Sequence, residues 1–478
     1  MRVHGYALLL LAVSAVPVEA KVDDLPAFAR AYLDKQTHAV LPTRDARTIP
    51  LVEPLSLTRM PSFARQTGLA CSTCHYQFPQ LTPFGRQFKL NGYTLSGLKA
   101  IEGKDKNDKP TLALLPFSPL SVMVQSSATQ LSTALPGTQN FTVALPQQFG
   151  LIWAGAISTN LGAFAQLTWS QSAGSVEIDN VDIRYASRGA IGDTPLTWGV
   201  TLNNNPTVQD LWNTTPAWGY PFASSATTPG PLGGQLISGG LAQRSVGLGI
   251  YALWNDLVYT ELAAYRPAVP GAVAPLDSSA RSTISGFTPY WRVALQKTFG
   301  TQYLMLGTYG LSAKLFPAGI SGPTDDFTDI ALDAQHEMPV GDGHLVTRLA
   351  WINESQTFGS GILSGAVANR TNSLNTLRLS SSWYPNQNMG LTLSLFNTSA
   401  ARVDTLLYAP ASVTGSAVGS PETTGGSIEA SYNMWENARI SMTYTLYSKF
   451  NGRDSNYDGA GRNASMNNSL YLLWWFAF

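Results

Sequence analysis

The feature that most constrains the fold is a two-residue alternation of apolar with small or polar side chains. It recurs from about Phe117 in segments of roughly ten residues, such as LTWGVTL, VGLGIYALW, RVALQKTF, LRLSSSWY, LTLSLF and ISMTYTLY. A strand that faces lipid on one side and a wet lumen on the other needs this pattern. The alternation therefore predicts a transmembrane β-barrel.

The breaks between these segments alternate in length. Short turns occur near Asn160, Asn255, Gly300, Asp342, Asn386 and Glu436, with a longer one at Arg188 to Asp193. Long loops centre on residues 133–145, 205–235, 267–286, 316–325, 355–369, 401–425 and 451–467, and one break near Ser172 is short where a long one is expected. Short periplasmic turns and longer external loops are typical of outer-membrane barrels. The count predicts an all-β, porin-like barrel of about 16 strands with both barrel ends on the periplasmic side.

Both ends of the chain carry export features. Residues 1–20 combine Arg2, an apolar run and small residues before a cleavage point after Ala20, as in a secretory signal peptide. The last residues, NSLYLLWWFAF, form an alternating strand that ends at Phe478, and Trp474 and Trp475 suit an aromatic girdle. We predict a signal peptide at 1–20, an N-terminal domain at 21–116 that plugs the lumen, and the barrel at 117–478, in a Gram-negative outer membrane.

Composition limits the partners. Charged residues make up 13% of the chain and the formal net charge is zero, which argues against nucleic acid as a partner. After Ala20 no continuous apolar stretch reaches the roughly 20 residues that a transmembrane helix needs. Outer-membrane lipid is therefore the predicted surroundings of the strands. A secreted β-sandwich or propeller is the alternative, but no blade repeat is present.

The only two cysteines form the motif Cys71-Ser72-Thr73-Cys74-His75. C-x-x-C-H is the attachment motif of a c-type haem, because two thiols add to the haem vinyl groups and the adjacent histidine reaches the iron as an axial ligand. We therefore predict one covalently bound haem c, anchored by Cys71 and Cys74 and ligated by His75, so that residues 21–116 form a small single-haem c-type cytochrome domain.

Three other uses of the two cysteines fit the sequence less well. A disulfide is possible in an exported protein, but a bridge across so short a loop adds little stability. A structural zinc site needs four ligands, and the chain has no second cysteine pair. A thioredoxin-like redox pair requires a βαβ setting, which this Pro- and Gly-broken region does not offer.

The second axial ligand is open in the sequence. Met60, His38, His336 and His344 are suitable donors, and Met60 is the tentative choice because it lies shortly before Cys71. Met60 can equally be a packing residue. Cationic side chains at Arg65, Arg86 and Lys89 can pair with haem propionates or can simply be solvated or pore-lining.

The N-terminal motif extends well beyond the two cysteines. PSFARQTGLACSTCH followed by LTPFGRQFKLNGY resembles the haem segment of the outer-membrane cytochrome-porin fusions, the single-haem iron oxidases of iron-oxidising bacteria. The resemblance continues through PQQFGLIWAGAIS, NLGAFAQLTW, IDNVDIRYA and VTLNNNPTVQDLWNTTPAWGYP, and beyond these it concerns architecture alone.

This resemblance implies an oxidoreductase that takes single electrons from extracellular Fe(II) and passes them to a periplasmic c-type cytochrome or copper carrier. The residues it carries over are Cys71, Cys74 and His75, and no catalytic residue beyond the haem is implied. Two alternatives stay open: a porin for small solutes with a haem-bearing plug, and outward electron transfer to another acceptor. The direction of transfer depends on the reduction potential of the haem and on its redox partners, so the sequence is compatible with both directions.

Overall fold

The computed structural model describes residues 61–95, 101–107, 110–114, 118–215, 224–225, 227–268, 283–317, 319 and 321–478. The predicted signal peptide, His38 and Met60 lie outside these ranges. The described helices are α1 Ser62–Thr67, α2 Cys71–Cys74, α3 Pro83–Leu90 and α4 Gly359–Ser364, with short turns of helix at Leu236–Gly240 and Ala464–Asn467. None of these helices is long and apolar enough to cross a membrane.

Two small hairpins precede the barrel. They pair β1 His75–Gln77 with β2 Gln80–Leu81, and β3 Ile101–Lys104 with β4 Pro110–Leu114. The barrel strands are β5 Leu120–Leu131, β6 Phe141–Ala156, β7 Leu161–Ser170, β8 Ser175–Ile191, β9 Thr194–Asn203, β10 Ser245–Trp254, β11 Val258–Pro267, the two-residue β12 Thr283–Ile284, β13 Thr288–Phe299, β14 Gln302–Phe316, β15 Asp325–Val340, β16 Gly343–Phe358, β17 Thr371–Tyr384, β18 Met389–Ala400, β19 Thr423–Trp435, β20 Ala438–Lys449 and β21 Ser469–Ala477.

The barrel is closed and antiparallel, since β21 pairs with β5. Apart from the short β12, the described barrel has sixteen strands, which confirms the predicted number. Three strands extend into predicted breaks: β6 begins at Phe141, β8 continues to Ile191 through most of the turn predicted at Arg188 to Asp193, and β16 continues to Phe358. Backbone pairing with the neighbouring strand extends them, because ladder hydrogen bonds form whatever the side chains are.

Strand β10 shows how the alternation sorts side chains. Val246, Leu248 and Ile250 are exposed on the outside, whereas Ser245 and Tyr251 are buried on the inside. An apolar outer surface over a closed barrel is the arrangement that a bilayer requires. The protein is a porin-like β-barrel of a Gram-negative outer membrane.

The predicted girdle position of Trp475 is wrong. Neighbouring residues of a strand point to opposite faces, so Trp474 and Trp475 cannot both face lipid. Trp475 is 8% exposed and points inward, where its ring stacks on Phe78 with centroids 5.5 Å apart. The side chain thus belongs to the interior of the barrel.

The lumen holds two segments of the chain. Residues 61–95 lie at the end of the barrel that carries the short turns. Within this segment the Gln66 amide donates to the carbonyls of Tyr93 and Leu95. The Gln66 side-chain oxygen accepts the Ala156 N–H of β6 at 2.8 Å, which attaches the segment to the wall. The second segment follows β9 and folds inward, where Leu211 and Trp212 pack with Leu90 and the wall.

A salt bridge and a lysine join these segments to the wall and to each other. Arg86 of α3 pairs with Glu337 of β15 at 2.5 Å. Lys89 donates to the backbone carbonyls of Val208 and Asp210 in the inward segment. Since these groups are buried and partnered, the N-terminal segment is part of the folded lumen.

Gly162→Ala tests the packing of this segment against the wall. A Cβ at Gly162 of β7 would lie 2.2 Å from the Gly92 oxygen and 3.2 Å from the Tyr93 Cβ. We expect a loss of about 1–3 kcal/mol in the free energy of unfolding, because the added methyl group overpacks the contact. We also expect faster proteolysis within residues 61–95. At the control position Gly234 an added Cβ meets nothing within 4 Å, and equal protease resistance of Gly162→Ala and Gly234→Ala would contradict the packing.

Candidate haem-binding site

The C-x-x-C-H motif forms a single helical turn followed by extended backbone. Helix α1 ends at Thr67 and is followed by Gly68, whose φ of 69° is the left-handed conformation that glycine adopts easily. Cys71 and Cys74 then lie three residues apart in α2, which brings both side chains to one side of the turn. His75 leaves the helix with φ −129° and ψ 134° and begins β1.

Helix α3 packs tightly on α2. Thr82 caps α3 by accepting the Gly85 N–H at 3.1 Å, and its hydroxyl donates to the Thr73 carbonyl at 2.6 Å. A Cβ at Gly85 would lie 2.1 Å from the Cys74 oxygen, so the close approach of the two helices requires glycine. The thiols are therefore held by a compact pair of short helices.

Barrel residues fix both ends of this unit. Glu436, in the turn between β19 and β20, accepts the Cys71 N–H at 2.5 Å and the Ser72 hydroxyl at 3.1 Å. Ser121 of β5 accepts the Ser62 N–H at 2.6 Å, where α1 begins. These contacts position α1 and α2 against the wall.

A mostly apolar cavity of about 210 Å³ lies between this unit and the wall. Cys71, Cys74 and His75 border it. Its other walls are aromatic and aliphatic side chains of the N-terminal segment and of the barrel strands on either side of the closing β21–β5 pair, among them Phe63, Phe88, Tyr93, Ile152 and Trp475. Turn residues Gln387 and Glu436 also border it, so the cavity lies at the periplasmic end.

The protonation states at the cavity are set by burial. Burial raises the pKa of the Cys71 and Cys74 thiols to about 12, and the Glu436 carboxylate adds to the rise at Cys71. Burial lowers the pKa of His75 to about 4, against a smaller opposite effect of the Pro79 backbone. Near neutral pH the thiols are protonated and the imidazole is neutral, the form in which histidine ligates a metal.

The donor set fits a haem better than the alternatives. Cys71 and Cys74 are both free thiols, not a disulfide. Within the described residues no group of three or more His, Cys, Asp or Glu side chains is arranged to hold a metal ion. An apolar cavity with two thiols, one neutral imidazole and the cation Arg439 at its border matches the apolar ring, vinyl groups and propionates of a haem.

The four residues predicted as candidates for the second axial ligand lie in different places. Met60 and His38 lie outside the described residues. His336 hydrogen-bonds Gln302 at 3.0 Å on the outward side of β15. His344 packs beside Tyr76, with ring centroids 5.3 Å apart, and is not among the residues that border the cavity. Neither His336 nor His344 is therefore brought to His75.

Of the three predicted propionate partners, only Lys89 borders the cavity. Arg65 donates to the carbonyl of Ser118 at 2.9 Å and also to that of Leu120. Arg86 is paired with Glu337 and lies 4.4 Å from the centre of the Tyr303 ring. These two arginines anchor the N-terminal segment to the wall.

Barrel residues complete the cavity and were missed by sequence reasoning. Arg439 of β20 donates to the Phe78 carbonyl at 2.8 Å, while its buried Nε has no hydrogen-bond partner among the described residues. Met123 of β5 and Trp475 of β21 border the same cavity. The alternation predicted which residues face inward, but strand register was needed to bring these to Cys71.

The sequence matches no protein-family model and no curated protein. Among solved structures, the outer membrane channel DcaP of Acinetobacter baumannii is 12% identical, with a TM-score of 0.44, covering 80% of this chain and 100% of that chain. The anion-selective porin from Comamonas acidovorans is 12% identical, with a TM-score of 0.42, covering 75% of this chain and 98% of that one. OmpT of Vibrio cholerae is 10% identical, with a TM-score of 0.42 and coverages of 75% and 96%. The fold assignment itself rests on the strand pairing of this chain.

Proposed function

We propose that the protein is an outer-membrane c-type cytochrome that oxidises extracellular Fe(II) and delivers single electrons to a periplasmic carrier. The observation that carries the proposal is the apolar cavity bordered by two free thiols and an imidazole in C-x-x-C-H spacing. Fe(II) as the donor comes from the resemblance of residues 61–93 to the iron oxidases.

Cys71 and Cys74 would hold the haem by thioether bonds, and His75 would ligate its iron. The bound haem supplies a one-electron acceptor whose potential depends on axial ligands, burial and hydrogen bonds. Each Fe(II) becomes Fe(III) outside and loses one electron, which reduces an oxidised c-type cytochrome or copper carrier in the periplasm. No bond to the protein is made or broken in this transfer, and no proton is needed for balance.

The cavity suits delivery to the periplasm, because Glu436 and Gln387 of the short turns border it. The donor side requires a path through the lumen. Tyr93 borders the cavity and begins an array of aromatic rings and guanidinium groups. Arg184, fully buried and paired with Asp182 at 2.7 Å, lies 5.9 Å from the centre of the Tyr93 ring and 5.2 Å from that of Tyr251.

The array continues away from the cavity. The Tyr251 and Tyr259 rings are 6.4 Å apart, and Trp212 lies edge-on to Tyr259 at 5.5 Å. Arg292 then lies 5.0 Å from the Trp212 ring and 4.8 Å from that of Tyr309, the middle residue of β14. Delocalised π systems couple electronically better than aliphatic packing does, so we propose this array as the electron route from mid-barrel to the haem.

Replacing Trp212 by Leu tests the route. We expect reduction of the haem by external Fe(II) to slow several-fold at an unchanged midpoint potential, because the variant loses the ring between Tyr259 and Arg292. Trp212→Phe keeps a ring and should recover most of the rate. Stopped-flow spectroscopy of the protein in lipid vesicles measures both, with the outward-facing Trp254 replaced by Leu as the control. Equal rates for wild type and Trp212→Leu would exclude the array as the route.

Haem binding and iron oxidation are tested with the purified full-length protein. We expect a c-type haem spectrum and prompt reduction of the oxidised haem on mixing with Fe(II). His75→Ala should abolish the native spectrum while the barrel stays inserted, as judged by heat-dependent mobility on a denaturing gel. A haem that forms normally but stays oxidised with Fe(II) would remove iron as donor. An unchanged spectrum in His75→Ala would remove the ligand assignment.

A porin for small solutes is the second candidate, and the barrel's size favours it, since 16-stranded barrels commonly enclose an aqueous channel. The described lumen argues the other way, because Leu90, Leu211 and Trp212 pack across it in one apolar cluster. We expect little single-channel conductance in planar bilayers, and a clear rise when residues 61–95 are deleted. Porin-like conductance of the intact, haem-loaded protein would favour the solute porin instead.

A further inference from the structure

We infer that Met123 of the barrel wall supplies the second axial ligand of the haem. The inference rests on the proposed function, because it requires the haem that Cys71, Cys74 and His75 would hold. It goes beyond that function by assigning the far side of the iron to a strand of the barrel, outside the segment that carries the attachment motif.

The first argument is an inventory of donors at the cavity. Apart from the attachment motif, Met123 is the single sulfur donor among the described residues that border the cavity, and no second histidine borders it. The amine of Lys89 borders the cavity but is engaged, since it donates to the carbonyls of Val208 and Asp210. Met and His are the ligands that commonly complete electron-transfer haems.

The second argument is the room that the wall leaves for this side chain. Met123 is 2% exposed and points inward from β5. Its partner in the register of β6 is Gly150, where an added Cβ would lie 3.2 Å from the Met123 Cε. The absence of a side chain at Gly150 therefore leaves room for the Met123 side chain.

The third argument is the weak hold on the Met123 sulfur. Its one described polar contact is from the Gln125 amide, at 3.6 Å, and thioethers are weak acceptors. The backbone is rigid by contrast, because Met123 is paired with Gly150 of β6 on one side and with Ala477 of β21 on the other. Because this contact is weak and the strand is fixed, binding of the sulfur to iron would cost little interaction energy and little conformational entropy.

The fourth argument is a shared apolar wall. Met123 belongs to a buried cluster with Trp475, and Phe78 packs against that cluster. The Phe78 ring stacks on Trp475 and lies 5.2 Å from the His75 ring. The stacked rings of Phe78 and Trp475 thus form one apolar wall shared by Met123 and His75. Thioether ligation raises the haem potential, which suits a donor as weak as Fe(II).

Met123→Leu tests the inference in the haem-loaded, full-length protein. Leucine keeps the apolar volume but has no donor atom. We expect loss of the far-red absorption band of methionine-ligated ferric haem, a shift to high-spin haem, binding of carbon monoxide after reduction, and a lower midpoint potential. Met123→His should restore a six-coordinate, low-spin spectrum without the methionine band.

Two other methionine variants make the test specific. Met305→Leu changes a buried methionine of β14 that does not border the cavity and should keep the wild-type spectrum. Met60→Leu should also keep it. Loss of the band in Met60→Leu, its retention in Met123→Leu, or its absence from wild type would overturn the inference and leave the haem proposal intact. Isolation of a folded barrel without haem would overturn both.

Discussion

Closure of the hydrogen-bond ladder between β21 and β5 is the constraint on which the rest of the structure depends. In a bilayer every backbone N–H and C=O must find a partner within the protein, so a barrel with an unpaired edge is not viable. The last strand meets the first over nine residue pairs, from Ser469 with Leu131 to Ala477 with Met123. That register decides which side chains face the lumen, including the wall of the cavity.

Inside the barrel, charged and polar groups decide where the N-terminal segment lies. A buried charge is tolerated only when it is paired or hydrogen-bonded. Arg86 satisfies this condition through Glu337 of the wall, and Lys89 through carbonyls of the inward segment. Apolar packing around Phe84, Phe88 and Tyr93 supplies the remaining contact area. Directional contacts of this kind fix one orientation of the segment, which apolar burial alone would not do.

Those features of the structure that depend on local sequence pattern could be predicted from the sequence. Strand alternation and turn spacing predicted the sixteen strands, and the spacing of Cys71, Cys74 and His75 predicted the candidate site. Contacts that depend on strand register, or on residues far apart in the chain, could not be predicted in this way. The sequence pattern predicts an aromatic girdle for Trp475 and gives no signal for Arg439 or Met123, because each of the three meets the N-terminal segment across a long separation in the chain. Glu436 was recognised as a turn residue, but its contact with Cys71 joins positions 365 residues apart.

The position of the cavity against the closing seam also sets an order of events in biogenesis. Its wall includes Ser121 and Met123 of the first barrel strand and Trp475 and Ala477 of the last. These strands come together only when the barrel is complete, so the cavity does not exist in the unfolded chain that crosses the periplasm. A cofactor joined to Cys71 and Cys74 would therefore be attached first and enclosed afterwards. Attachment of the cofactor and insertion into the membrane would then be consecutive steps, and closure of the barrel would enclose the cofactor that is already attached.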